Sequence, residues 1–91
     1  MRNLPATLVH YKSTPVFDQD SVPAGLRRAH STAAGVWGRI VVLEGSLRYV
    51  IEAPAVEEYL LAPGTPGIVE PGVPHHVAID APVRFCVEFH R

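Results

Sequence analysis

Nine prolines and seven glycines are spread through 91 residues, so that the apolar runs between them are only long enough for strands. Proline carries no amide hydrogen and fixes φ, while glycine supplies the positive φ that tight turns need. A chain punctuated in this way cannot build long helices, and it reads as short extended segments joined by turns.

Val36 to Glu44 (VWGRIVVLE) is the strongest strand signal, rich in β-branched residues. Gly45-Ser46 follows, then Leu47 to Glu52, and the pair reads as a β-hairpin. Val56 to Leu61 is another strand, because six residues between turn signals are too few for a stable helix. Ile68 to Glu70, His75 to Asp80 and Val83 to Phe89 complete the second half, around the turns Pro63–Gly67, Pro71–Pro74 and Ala81-Pro82. In the first half a strand is expected over Leu26 to Thr32. Residues 1–24, broken by Pro5, Pro15 and Pro23, belong at sheet edges or in loops. Seven to nine strands result, and the expected architecture is a sandwich or barrel in one domain, residues 1–91.

Composition narrows the function. Apolar residues make up 47% of the chain, enough for a core, yet a domain this small buries only about 60–65% of its unfolded surface. A homodimer would help it. Eight Lys and Arg are scattered against nine acidic residues, which gives no basic stripe for nucleic acid. No stretch reaches the ~20 apolar residues that span a bilayer, and no membrane partner is expected. The single cysteine, Cys86, rules out an internal disulfide and fits a reducing, cytoplasmic setting.

The candidate chemistry lies in Pro71-Gly72-Val73-Pro74-His75-His76. Strand alternation places His75, Val77 and Ile79 on one face and His76, Ala78 and Asp80 on the other. The apolar face points inward, so His75 is the internal imidazole, and either a ligand or a hydrogen-bonded core histidine. His30 is the second candidate, if strand packing brings it beside His75. A metal needs several such preplaced donors. Arg28 and Arg39 are candidate anion contacts or plain surface charges. Trp37, Tyr49, Phe85 and Phe89 are expected in the core or an interface. Cys86 reads as a small buried hydrophobe, Glu44 as a turn carboxylate, and His10 and His90 as solvated end residues.

The stretch from Gly25 to Gly45, followed by Pro71-Gly72-Val73-Pro74-His75, resembles the two motifs of the cupin superfamily. Lys12–Phe17, Val22–Leu26, Gly35–Tyr49 and Val83–Phe89 look, more narrowly, like the small cupin domain at the N-terminus of TehB-type tellurite-resistance methyltransferases. The resemblance implies a cupin-like double-stranded β-helix, a jelly-roll barrel. It also implies a divalent metal (Zn, Fe, Ni or Mn) in the barrel, held in part by His30 and His75. Three positions depart from the motifs: Thr32 replaces a histidine, Gly38 stands where the glutamate falls, and Glu70 stands at the proline. Glu88, on the last strand, is the candidate replacement donor, although alternation opposes it by giving the inward face to Val83, Phe85, Val87 and Phe89.

Three functions are compatible with these residues. One is a metal-binding module of the tellurite- or oxyanion-resistance kind, taking a small molecule or anion. Another is a metal-dependent enzyme such as a small non-heme Fe(II) dioxygenase, for which two histidines and a carboxylate are the usual donors. The third is a metal-free dimeric scaffold. Whether the chain is an enzyme is not written in the sequence; no glycine-rich cofactor loop accompanies it, so methyl transfer is not expected of these 91 residues.

Overall fold

A computed structural model describes all 91 residues as eight antiparallel strands and one 3-10 turn. In chain order they are β1 (His10–Ser13), β2 (Phe17–Asp18), the 3-10 turn (Ala24–Arg27), β3 (Trp37–Gly45), β4 (Leu47–Ile51), β5 (Glu57–Leu61), β6 (Gly67–Val69), β7 (His75–Ala78) and β8 (Val83–His90).

The strands form two sheets. The larger has the order β1-β8-β3-β6, with β2 also on β8; the smaller has the order β5-β4-β7. The two sheets remain separate ladders, so the expected closed barrel is not formed; the architecture is a small all-β domain of two facing sheets. Its radius of gyration, 12.1 Å, is that of one compact domain of this length. No helix is long and apolar enough to cross a membrane.

Two local expectations are corrected. β3 and β4 are not a hairpin: β3 pairs with β8 and β6, whereas β4 pairs with β5 and β7. Gly45-Ser46 is instead the corner at which the chain leaves one sheet for the other. Gly45 has φ +76°, and a Cβ there would collide with the Pro82 carbonyl oxygen, so only glycine fits the corner. The strand expected over Leu26 to Thr32 is also absent. Pro23 presets the backbone for the 3-10 turn Ala24–Arg27, and of the expected strand only an isolated bridge at His30 remains.

The core lies between the sheets. Tyr49, Phe85, Ile40, Leu47 and Leu61 are its largest fully buried side chains. Phe85 stands at the centre of the larger sheet, on the strand that pairs with β1, β2 and β3. Tyr49 joins the layers: it belongs to β4, and its hydroxyl donates to the Ile68 carbonyl of β6 at 2.9 Å. Burial raises the pKa of this phenol, which keeps it a neutral donor.

Candidate functional site

The fold leaves a cavity of about 340 Å³ between the sheets. Ile40 of β3, Val69 of β6, and Phe85, Val87 and Phe89 of β8 supply its wall on one side. His75 and Val77 of β7 face them, and the segment His30–Ala33 borders one end. Most of the lining is apolar, with two imidazoles among it.

Backbone pairing explains why those imidazoles meet. The His30 amide donates to the His75 carbonyl at 3.0 Å, and the His75 amide donates back to the His30 carbonyl at 2.9 Å. Such a reciprocal antiparallel pair sets both side chains on the same face. The ring centroids lie 4.1 Å apart, tilted by 56°. The Gly72 amide, donating to the Thr32 carbonyl at 3.2 Å, ties the same segment to the turn before β7.

The tautomers follow from chemistry. His75 Nδ1 lies 2.9 Å from the Val73 carbonyl, and His30 Nδ1 lies 3.0 Å from the Arg28 carbonyl. A carbonyl can only accept, so each Nδ1 carries a proton, and in the neutral ring the lone pair sits on Nε2. Neither Nε2 has a protein partner, and neither is sealed; the only sealed, partnerless side-chain nitrogen is His90 Nε2. Both rings line the cavity, and in this tautomer each has a lone pair to offer a ligand. Burial pushes the His75 pKa down, and the neighbouring His30 adds to the effect. The edge of Tyr49 packs on the His75 ring at 5.8 Å.

The other candidates fall elsewhere. Glu88 is not brought to the histidines: Val87 and Phe89 take the inward positions of β8, and the Glu88 carboxylate lies 3.9 Å from His90 Nε2 on the opposite face. Gly38 does line the cavity, but a Cβ there would come within 3.1 Å of Val69 Cβ, so β6 occupies the space a longer side chain would need. Thr32 is on the wall with its hydroxyl donated to the Val36 carbonyl at 2.7 Å. His76 turns outward and pairs with Glu52 at 2.8 Å. Arg39, Arg28 and Cys86 do not line the cavity, and burial pushes the Cys86 thiol up. Glu44 pairs with Arg84 at 3.4 Å.

Three groups escaped the sequence reading. His90, expected in solvent, is buried, with the His10 ring centroid 5.2 Å away. Lys12 lines the cavity; it is paired with Phe89 across β1 and β8, and residues directly opposite share a face. A bulge in β1 between His10 and Lys12 brings Tyr11 to the wall as well, a shift that no residue pattern announced.

No three His, Cys, Asp or Glu side chains converge as a metal cage anywhere in the chain. The donors present fit an open, two-imidazole site. They do not fit a closed protein cage, which takes four.

Fold and site together define a small two-sheet β domain with a histidine-bordered apolar cavity. The model of the TehB-like domain matches residues 12–87, and the chain belongs to that family. It is 31% identical over 74 residues to the probable S-adenosyl-L-methionine-dependent methyltransferase TehB of Haemophilus influenzae (strain 10810), covering 77% of this chain and 26% of that protein. It is 32% identical over 53 residues to the uncharacterized protein YeaR of Escherichia coli (strain K12), covering 55% of this chain and 44% of YeaR. The chain therefore spans about a quarter of the TehB relative's length. The crystal structure of TehB from Haemophilus influenzae superposes with a TM-score of 0.82 at 27% identity, over 91% of this chain and 31% of that one. A crystal structure of a protein from E. coli (strain K12) superposes with a TM-score of 0.89 over 100% of this chain and 97% of that one; at 23% identity this likeness is one of fold.

Proposed function

We propose that the chain is a small ligand-binding module of cupin-like, double-stranded β-helix build, in which His30 and His75 hold a divalent metal. The observation that carries this reading is the imidazole pair: both Nδ1 hydrogens are committed to backbone carbonyls and both Nε2 lone pairs are free at the cavity. Backbone carbonyls orient metal-binding histidines in this way, fixing tautomer and ring direction. With only two protein donors, water and a small ligand complete the coordination. Zn, Fe, Ni and Mn are all compatible with imidazole donors. When bound, the metal would supply a Lewis-acidic point for a small anion or oxyanion, in keeping with a tellurite-resistance-like role.

Binding is favoured over oxygenase chemistry. That chemistry calls for a carboxylate beside the two histidines, and no acidic residue lines the cavity. The deciding experiment is metal content after zinc loading and exhaustive dialysis of untagged protein. The expected result is about one metal per chain in the native protein and near zero in His75→Ala and His30→Ala. Equal, near-zero metal in all three overturns the metal site.

The reading includes a homodimer. Leu43, Val56 and Leu60 are exposed apolar side chains, and a domain with 16 buried residues gains from covering them. Sedimentation equilibrium is expected to give twice the chain mass, and a monomer at high concentration contradicts it.

A further inference from the structure

Lys12 is the only Lys, Arg, Asp or Glu side chain on the cavity wall. It makes no ion pair, although Arg2, Arg48 and Arg84 all find carboxylates. Its register opposite Phe89 directs the stem over an apolar surface, and its exposure leaves the ammonium at the rim. A lysine in this position buries its methylenes and keeps its charge at the water boundary. Two further hydroxyls of the wall, Tyr11 next to it in sequence and Ser31, make no hydrogen bond within the protein. Arg91 caps the Tyr11 ring, with its guanidinium carbon 3.9 Å from the centroid. By contrast, the Thr14 and Thr32 hydroxyls already donate to the Pro15 and Val36 carbonyls. The cavity therefore joins an unpaired positive charge at its exposed rim to a mostly apolar wall that also holds the His30 and His75 rings.

From this arrangement we infer that the cavity takes a small apolar carboxylate, its head on Lys12 at the mouth and its body between Ile40, Val69, Phe85 and Val87. The volume, about 340 Å³, is at the small end for ligand sites and suits one ring or a short chain. An amine meets Lys12 as a like charge, and a neutral alcohol forgoes the charge-assisted hydrogen bonds. The inference rests on the cavity as a ligand site, but it does not need the metal.

The test titrates chelator-stripped protein by calorimetry and ligand-observed NMR with benzoate, hexanoate, benzyl alcohol and benzylamine. At least one of the two carboxylates is expected to bind with one site per chain, about ten-fold tighter than benzyl alcohol, with benzylamine weaker still. Lys12→Met is expected to weaken that carboxylate by about five- to ten-fold and to leave benzyl alcohol unchanged. Lys12 is exposed, so the variant folds. Arg39→Gln, which removes a charge outside the cavity, is expected to change neither. Binding of neither carboxylate, equal binding of acid and alcohol, or equal carboxylate affinity in native and Lys12→Met protein overturns the inference. Carboxylate discrimination in a protein that retains no zinc overturns the metal reading alone; retained zinc without discrimination overturns this inference alone.

Discussion

His90 Nε2 is buried without a partner, 3.9 Å from Glu88 and too far for a hydrogen bond. Its pKa is held below the ordinary histidine value, first by burial and then by the His10 ring and the Arg39 charge, against an opposing pull from Glu88. The unfolded chain therefore takes up this proton first. Its contribution to stability is complete above about pH 6.5 and is lost as pH falls through the lower folded value. Melting temperature is expected to decline from pH 7.5 to pH 5, and less steeply in His90→Leu. Parallel slopes would show that His90 does not drive the decline. At this scale the sequence was half legible. Alternation alone separates His75 from His76, because β7 has one apolar face. His90 misled because its place near the chain end suggested solvent, whereas β8 is an interior strand between β1 and β3. Glu88 misled for a different reason: the cupin comparison asked for a third donor, and alternation, which pointed Glu88 outward, was the better guide. Glu88→Gln is accordingly expected to retain as much zinc as native protein in the dialysis assay, and a loss comparable to that of His75→Ala would return the carboxylate to the site.

Among the elements, β8 is the one on which the larger sheet is assembled, since β1, β2 and β3 all pair with it. Phe85 is its most buried side chain and meets Phe17 edge-on at 5.8 Å. Truncation removes that ring from both the core and the cavity wall. Phe85→Ala is expected to cost about 3–5 kcal/mol in urea unfolding, which is much of the total stability of a domain this size. A loss below about 1 kcal/mol would mean that the sheets close over the gap. The corner at Gly45 is the complementary case, as its cost is in the backbone. Gly45→Ala must adopt positive φ and displace Pro82, and a loss of at least about 1–2 kcal/mol is expected in the same assay. Strand positions were legible because Pro and Gly delimit them locally. Strand partners were not. A glycine corner and a hairpin turn look alike in sequence, and only contacts between distant segments, here β3 with β8 and β4 with β7, decide between them. The 3-10 turn after Pro23 was hidden likewise, since Leu26–Thr32 has the composition of a strand but finds one bridge only.

For the whole molecule, the cavity is a seam between layers: β1, β3, β6 and β8 contribute from one sheet and β7 from the other. Tyr49 crosses the seam by its bond to Ile68, and the Tyr49 and His75 rings meet beside it. A molecule seated there touches both sheets, and neither sheet offers the same surface once the chain unfolds. Binding is thus linked to folding by mass action, and at a free ligand concentration ten times Kd the native state gains about 1.4 kcal/mol. For a domain of this length that corresponds to a rise in Tm of about 6–11 °C. The rise is expected with the bound carboxylate and is expected to grow with the logarithm of its concentration. In Lys12→Met at the same concentration it should shrink, because Kd is larger, while the unliganded Tm stays near native. If His30 and His75 hold zinc as proposed, zinc would add a second, independent shift, and carboxylate and zinc together should raise Tm by at least the sum of the two. A combined rise equal to the larger single rise would mean that the two compete for one place at the imidazoles, which puts the carboxylate head at His75 rather than at the mouth.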